Sequence, residues 1–152
     1  MSGFLERISS GALLVSDGAT GTYLQENGLE PGGCPEAFNS DHPEVIREMA
    51  AAYFAAGSDM VETNSFGGSR YMLAKYGHGD RVEELNRLAG ELARTAAPEG
   101  CFVLGSIGPT GEILAEKSCP GGSPFDLGEN GDFPLRFQRR LEGAKRRATF
   151  CP

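Results

Sequence analysis

Residues 59–77, DMVETNSFGGSRYMLAKYG, pass from an apolar strand into polar residues and on into a short helix. The strand is predicted over 59–64 and the helix over 68–75. Glu62 lies at the strand's end, where an unpaired charge is costly if buried. Thr63, Asn64 and Ser65 follow it with hydrogen-bonding groups. Two readings of Glu62 stand: a group that faces a ligand, or a loop-rim residue salt-bridged to a neighbour.

The same alternation continues on both sides. Upstream, GALLVSDG predicts a buried strand over 12–17, and HPEVIREMAAAYFAAG predicts a helix over 43–56. Asp41 and Glu44 have capping-box spacing, Pro43 suits a first turn, and Gly57 is a natural stop. Val45, Ile46, Met49, Ala52, Tyr53 and Ala56 fall on one side of that helix. Downstream, a helix over 81–96 places Val82, Leu85, Leu88, Ala89 and Leu92 on one face, and CFVLGS predicts a strand over 101–106. Continuous apolar strands alternating with amphipathic helices give an α/β fold with a parallel sheet covered by helices. An open doubly wound sheet and a (β/α)8 barrel both fit this pattern. A whole barrel takes about 250 residues, and the chain has 152.

Composition narrows the classes. The 39% hydrophobic and 23% charged residues suit a globular domain. No apolar run approaches the roughly 20 residues of a membrane span, and MSGFLERISSG lacks the pattern of a signal peptide. The expectation is a cytoplasmic protein without a membrane partner. A net charge of −7 argues against nucleic acid. Cys34, Cys101, Cys119 and Cys151 are scattered, with no zinc-ligand spacing, and reduced thiols are expected.

Charge and composition change near residue 120. Residues 1–119 hold 17 acids and 8 bases, and residues 120–152 hold 4 acids and 6 bases. The last stretch is rich in Gly and Pro and contains the basic cluster RFQRRLEGAKRR. The domain boundaries expected are 1–119 for the α/β unit and 120–152 for an irregular tail. That tail is either a solvated basic loop or a segment foreign to the fold, through truncation or a shifted frame.

Ligands of parallel α/β folds bind beyond the carboxyl ends of the strands. Three such ends carry polar or glycine-rich sequence: SDGATGT, ETNSFGGS and GSIGPTGE. In DGATGT, Gly18 and Gly21 let backbone N–H groups line a concave turn suited to a carboxylate. Asp17 offers a carboxylate for an ammonium, and the pair suits an amino acid. The plain alternative is that Asp17 caps the next helix. In GSIGPTGE a tight strand-to-helix loop competes with a binding role. Ser106 lies outside any nucleophile elbow. Neither His42 nor His78 shows a partner for acid–base work, and no residue is assigned to catalysis.

DGATGTYLQENGL, PEAFNSDHPEVIREMAAAYFAAGSDMVETNSFGGSRYMLAKYG and VLGSIGPTGE, within about residues 10–115, resemble the homocysteine S-methyltransferase family. The pattern is most similar to the homocysteine-binding module of cobalamin-dependent methionine synthase. The resemblance implies the N-terminal portion of a (β/α)8 TIM barrel. It implies methyl transfer to the thiol of homocysteine, giving methionine. It also implies a substrate site in which Asp17 holds the ammonium and Gly18, Ala19, Thr20, Gly21 and Thr22 meet the carboxylate. Glu62, Thr63 and Asn64 would line the same pocket.

The family activates the thiol on zinc held by three cysteines from later strands, two of them adjacent. This chain has no adjacent pair, and no zinc role is carried onto its cysteines. The resemblance therefore implies an inactive N-terminal fragment. The remaining barrel, or cobalamin and methyltetrahydrofolate modules, would be its partners. A small amino-acid-binding module, or a subunit completed by a partner chain, is the alternative.

Overall fold

The structure is a computed structural model that describes residues 3–110. The elements are α1 (Phe4–Ser9), α2 (Thr20–Glu26), a 3-10 turn (Pro35–Ala37), α3 (Phe38–Asp41), α4 (Pro43–Ala55), β1 (Met60–Glu62), α5 (Arg70–Ala74), α6 (Val82–Ala96) and β2 (Phe102–Leu104). β1 and β2 pair in parallel, with Met60 opposite Phe102 and Glu62 opposite Leu104. Ser16 makes a parallel bridge to Met60 on the other side of β1. β1 is therefore central, with its neighbours in sequence order and all directions parallel, as the alternation predicts.

The strand expected over 12–17 is corrected. It shrinks to the single bridge at Ser16, with Val15 O accepting the Asp59 N–H at 2.8 Å. Leu13 is 89% exposed and Val15 52%. A strand buried on both faces needs cover on both. Among the described residues this segment is bridged along one edge only, so its apolar run stays open.

Helices α4 and α6 form the layer against the sheet. Ile46, Met49, Ala50 and Phe54 of α4 are buried, and so are Leu85, Ala89 and Ala93 of α6. Ala50, Phe54 and Ala93 pack on Val61 at the centre of β1. Each large apolar side chain buried this way stabilises the fold by roughly 1.5–3 kcal/mol. Two expectations for α4 fail in detail. Ala52 and Ala56 are exposed, because the buried stripe runs through Ala50 and Phe54 instead. The capping box also fails. His42 occupies the cap position without a side-chain cap bond, while Asp41 ends α3 and takes the Ser40 hydroxyl. The chain turns from α3 straight into Pro43, which leaves Asp41 inside the preceding helix. Gly57 stops the helix at φ 104°, as expected.

α1, the 3-10 turn and α3 were not expected from the pattern. α1 is fastened at the amino end of the sheet. Arg7 pairs with Asp59 at 2.8 Å, and Phe4 meets Phe102 edge-to-face at 5.1 Å. α2 and α3 share a core with α4 through Leu24, Phe38, Ile46 and Met49. The 3-10 turn joins a separate cluster of Cys34, Ala37, Leu73 and Leu85. No helix of the described residues is long and apolar enough to cross a membrane. The expected boundary at 119 and the tail over 120–152 lie outside the described residues.

Candidate functional site

Parallel pairing brings the carboxyl ends of the three segments to one side. Hydrogen bonds then tie them together. Asp17 N donates to Met60 O at 3.2 Å, and Asp17 Oδ1 accepts the Glu62 N–H at 3.0 Å. Asp17 therefore caps no helix. α2 begins behind Ala19 with no side-chain cap. Glu62 is exposed and pairs with no cation among the described residues; its Oε2 accepts the Ser106 hydroxyl at 2.8 Å. Ser106 N donates to Thr63 Oγ1 at 3.0 Å, and Ser65 Oγ donates to Ser106 O at 2.8 Å. The β1 end is stitched to Asp17 on one side and to the β2 turn on the other.

A cleft of about 340 Å³ opens at this end. Thr20, Gly21, Glu62, Thr63 and Asn64 line it. Asp17, Gly18, Ala19 and Thr22 are not part of its lining. Thr63 and Asn64 also have structural duties. The Asn64 amide donates to Pro35 O at 2.7 Å and to Asn39 Oδ1 at 3.0 Å, and Thr63 Oγ1 lies 2.6 Å from Ser65 Oγ. Their side-chain polar atoms hold the wall in place.

The turn after the first segment differs from its expected form. Neither Gly18 nor Gly21 has positive φ; the left-handed residue is Ala19, at φ 46° and ψ 30°. A non-glycine residue there costs on the order of 1 kcal/mol or more, and such strain gathers at binding turns.

Five lining residues escaped the sequence reading as site residues: Leu24, Pro35, Glu36, Phe66 and Ser106. Glu36 is 4% exposed. A carboxylate set among Cys34, Pro35, Ala37 and Phe38 was the available signal, since a charge within an apolar run must find partners. Burial, with Glu36 beside it as a further cause, pushes the Cys34 thiol up from its ordinary value. Its Sγ lies 3.6 Å from Glu36 Oε2, so the protonated thiol is the donor.

The profile of the homocysteine S-methyltransferase family matches residues 14–146. The chain belongs to that family. It is 38% identical over 111 residues to methionine synthase of Mycobacterium leprae, covering 64% of this chain and 9% of that protein. Betaine–homocysteine S-methyltransferase 1 of Bos taurus is 32% identical over 123 residues, covering 76% of this chain and 30% of that one. The metallated form of the homocysteine methyltransferase MmuM from Escherichia coli superposes with a TM-score of 0.59 at 26% identity. It covers 69% of this chain and 41% of that structure. The chain thus spans less than a third of the curated relatives named here.

In this member of the homocysteine S-methyltransferase family, a zinc ion would need three or four converging ligands. Among the described residues no three His, Cys, Asp or Glu side chains group to hold an ion. Cys34 and Cys101 sit in different cores. Cys34 is committed to Glu36, and Cys101 Sγ faces Ser58 O at 3.9 Å. The described residues do not fit the family's zinc.

Proposed function

We propose that the described residues form the homocysteine-binding end of a homocysteine S-methyltransferase, laid out as the first strands of a (β/α)8 barrel. Sequential parallel order, helices packed on the sheet and the likeness to MmuM support the layout. The observation that carries the site is the joining of Asp17, Glu62 and Ser106 at one end of the sheet beside the cleft. Asp17 is the group for the ammonium. Its Oδ1 is taken by Glu62 N and Ser16 Oγ, which leaves Oδ2 for a ligand among the described partners. The turn from Gly18 to Thr22 takes the carboxylate, with Thr20 and Gly21 at the cleft surface. Glu62, Thr63 and Asn64 form the wall along the side chain.

In the whole enzyme the homocysteine thiol would accept the methyl group and lose its proton, giving methionine. A thiol with pKa near 8.5 is mostly protonated at neutral pH, so activation must come from beyond the residues described. What these residues do is bind and orient the amino acid. Isothermal titration of the 152-residue chain with homocysteine, against propanethiol and butyrate as controls, tests this. Binding that requires both the ammonium and the carboxylate supports the reading. Equal affinity for all three ligands, or none for homocysteine, overturns it.

A further inference from the structure

Glu36 is a buried carboxylate without a cation among its described partners. Its Oε1 accepts the Gly67 N–H at 2.6 Å, and its Oε2 takes the Cys34 thiol. A buried charge lacking a countercharge is costly unless strong hydrogen bonds hold it. The short bond to Gly67 is of the charge-assisted kind. Gly67 permits this approach, because a Cβ there would stand 2.8 Å from Oε1. The same 3-10 turn grips the same loop a second time, through Pro35 O and the Asn64 amide. On its other side the loop is held by Gly108 N donating to Phe66 O at 2.9 Å.

We propose that Glu36 is a positioning residue, which fixes the cleft wall at Phe66 by clamping the amide of the next residue, Gly67. Phe66 lines the cleft and is 62% exposed, so apolar contact within a core does not set its place. Backbone hydrogen bonds on either side of it do. The Asn64 anchor fixes the start of the loop, and the Glu36 clamp fixes the part beyond it. The ligand arm of this proposal rests on the cleft being the homocysteine site; the clamp itself does not.

The test uses the 15N-labelled 152-residue chain. In the parent protein the Gly67 amide proton is expected far downfield and slow to exchange, as a short charge-assisted bond requires. Glu36→Ala moves it upfield, speeds its exchange at least about tenfold and weakens homocysteine binding about tenfold. Glu36→Gln keeps an acceptor oxygen and recovers most of both losses. Should Glu36→Ala fail to fold, Gly67→Ala, which forces a Cβ against Oε1, must weaken binding in a folded chain. An unchanged Gly67 amide in Glu36→Ala overturns the clamp. Equal loss of binding in the Gln and Ala variants also overturns it, because the charge would then act on the ligand directly. If the parent chain binds no homocysteine, the functional reading falls, and the Gly67 resonance still decides the clamp.

Discussion

Asp17 and Glu62 are joined side chain to backbone: Asp17 Oδ1 accepts the Glu62 N–H at 3.0 Å across 45 positions of sequence. The bond does what a ladder bond would do one residue further along the strands. Ser16 is the last bridged residue of its segment, and Asp17 extends the connection with its carboxylate. The residue proposed to hold an ammonium is thus also the residue that fastens the first strand end to the second.

The two duties of Asp17 separate by substitution. Asp17→Asn keeps an acceptor for the Glu62 amide and removes the charge. Asp17→Ala removes both. The Ala variant is expected to lose about 1 kcal/mol of stability and the Asn variant clearly less. Homocysteine binding should be lost in both. Urea unfolding and titration calorimetry on the two variants check this, and an Asn variant that binds like the parent would remove Asp17 from the ammonium role.

Asn39 is the polar centre of the interior, fully buried. Its Nδ2 donates to Asn64 O at 2.9 Å and to Leu85 O at 3.1 Å, and its Oδ1 accepts from Asn64. It ties α3, the loop after β1 and α6 into one network. Asn39→Leu matches the volume approximately and strands those partners without hydrogen bonds. The expected loss is about 3 kcal/mol or more, since each orphaned buried group costs roughly 1–3 kcal/mol. A urea midpoint close to that of the parent chain would mean that the loop finds other partners.

Much of this was legible in the residues. The spans of α4 and α6 followed from 3.6-residue periodicity, and the parallel sense of the strands followed from alternation. Of the expected site, Glu62, Thr63 and Asn64 were marked by standing at a strand end. Glu36 was not, because it enters the cleft from a 3-10 turn with no periodic signal. Leu13 and Val15 misled for the opposite reason. An apolar run indicates what a strand would bury against, and among the described residues that cover is missing on one side. The left-handed turn fell on Ala19 rather than on either flanking glycine, and composition alone favours the glycine.

Asp59 gives a pH dependence with a definite sign. The Val15 N–H on Oδ2 at 3.0 Å, and then Arg7 on Oδ1 at 2.8 Å, hold its carboxyl below the ordinary value. A carboxyl lowered in the folded state binds its proton more readily when unfolded. Its stabilisation is therefore complete above the unfolded pKa of about 3.9 and is lost as pH falls through the lower folded value. The stability gap between the parent and Asp59→Asn should be constant from about pH 7 to pH 5 and close below about pH 4. Urea midpoints of both proteins across that range measure it. A gap that does not begin to narrow as pH falls below about 4 would show that Asp59 acts through its hydrogen-bond geometry and not its charge.

Zinc supplies the last prediction. Tight zinc binding needs three or four converging ligands, and cysteine binds it as the thiolate. Burial works against ionisation of Cys34, and its thiol already serves Glu36. Cys101 belongs to another cluster and faces a carbonyl. Ionising Cys34 would set a thiolate beside the Glu36 carboxylate, two negative charges in one buried site, before any metal arrived. The purified chain, reduced and dialysed against zinc, is expected to retain well under one zinc per molecule. It should form no methionine from homocysteine with methyltetrahydrofolate, betaine or S-methylmethionine. Cys34→Ser and Cys101→Ser should leave the metal content unchanged. Metal analysis and product assay decide the matter. One zinc per chain with turnover, lost on substituting either cysteine, would place a working metal centre among residues that here serve the fold.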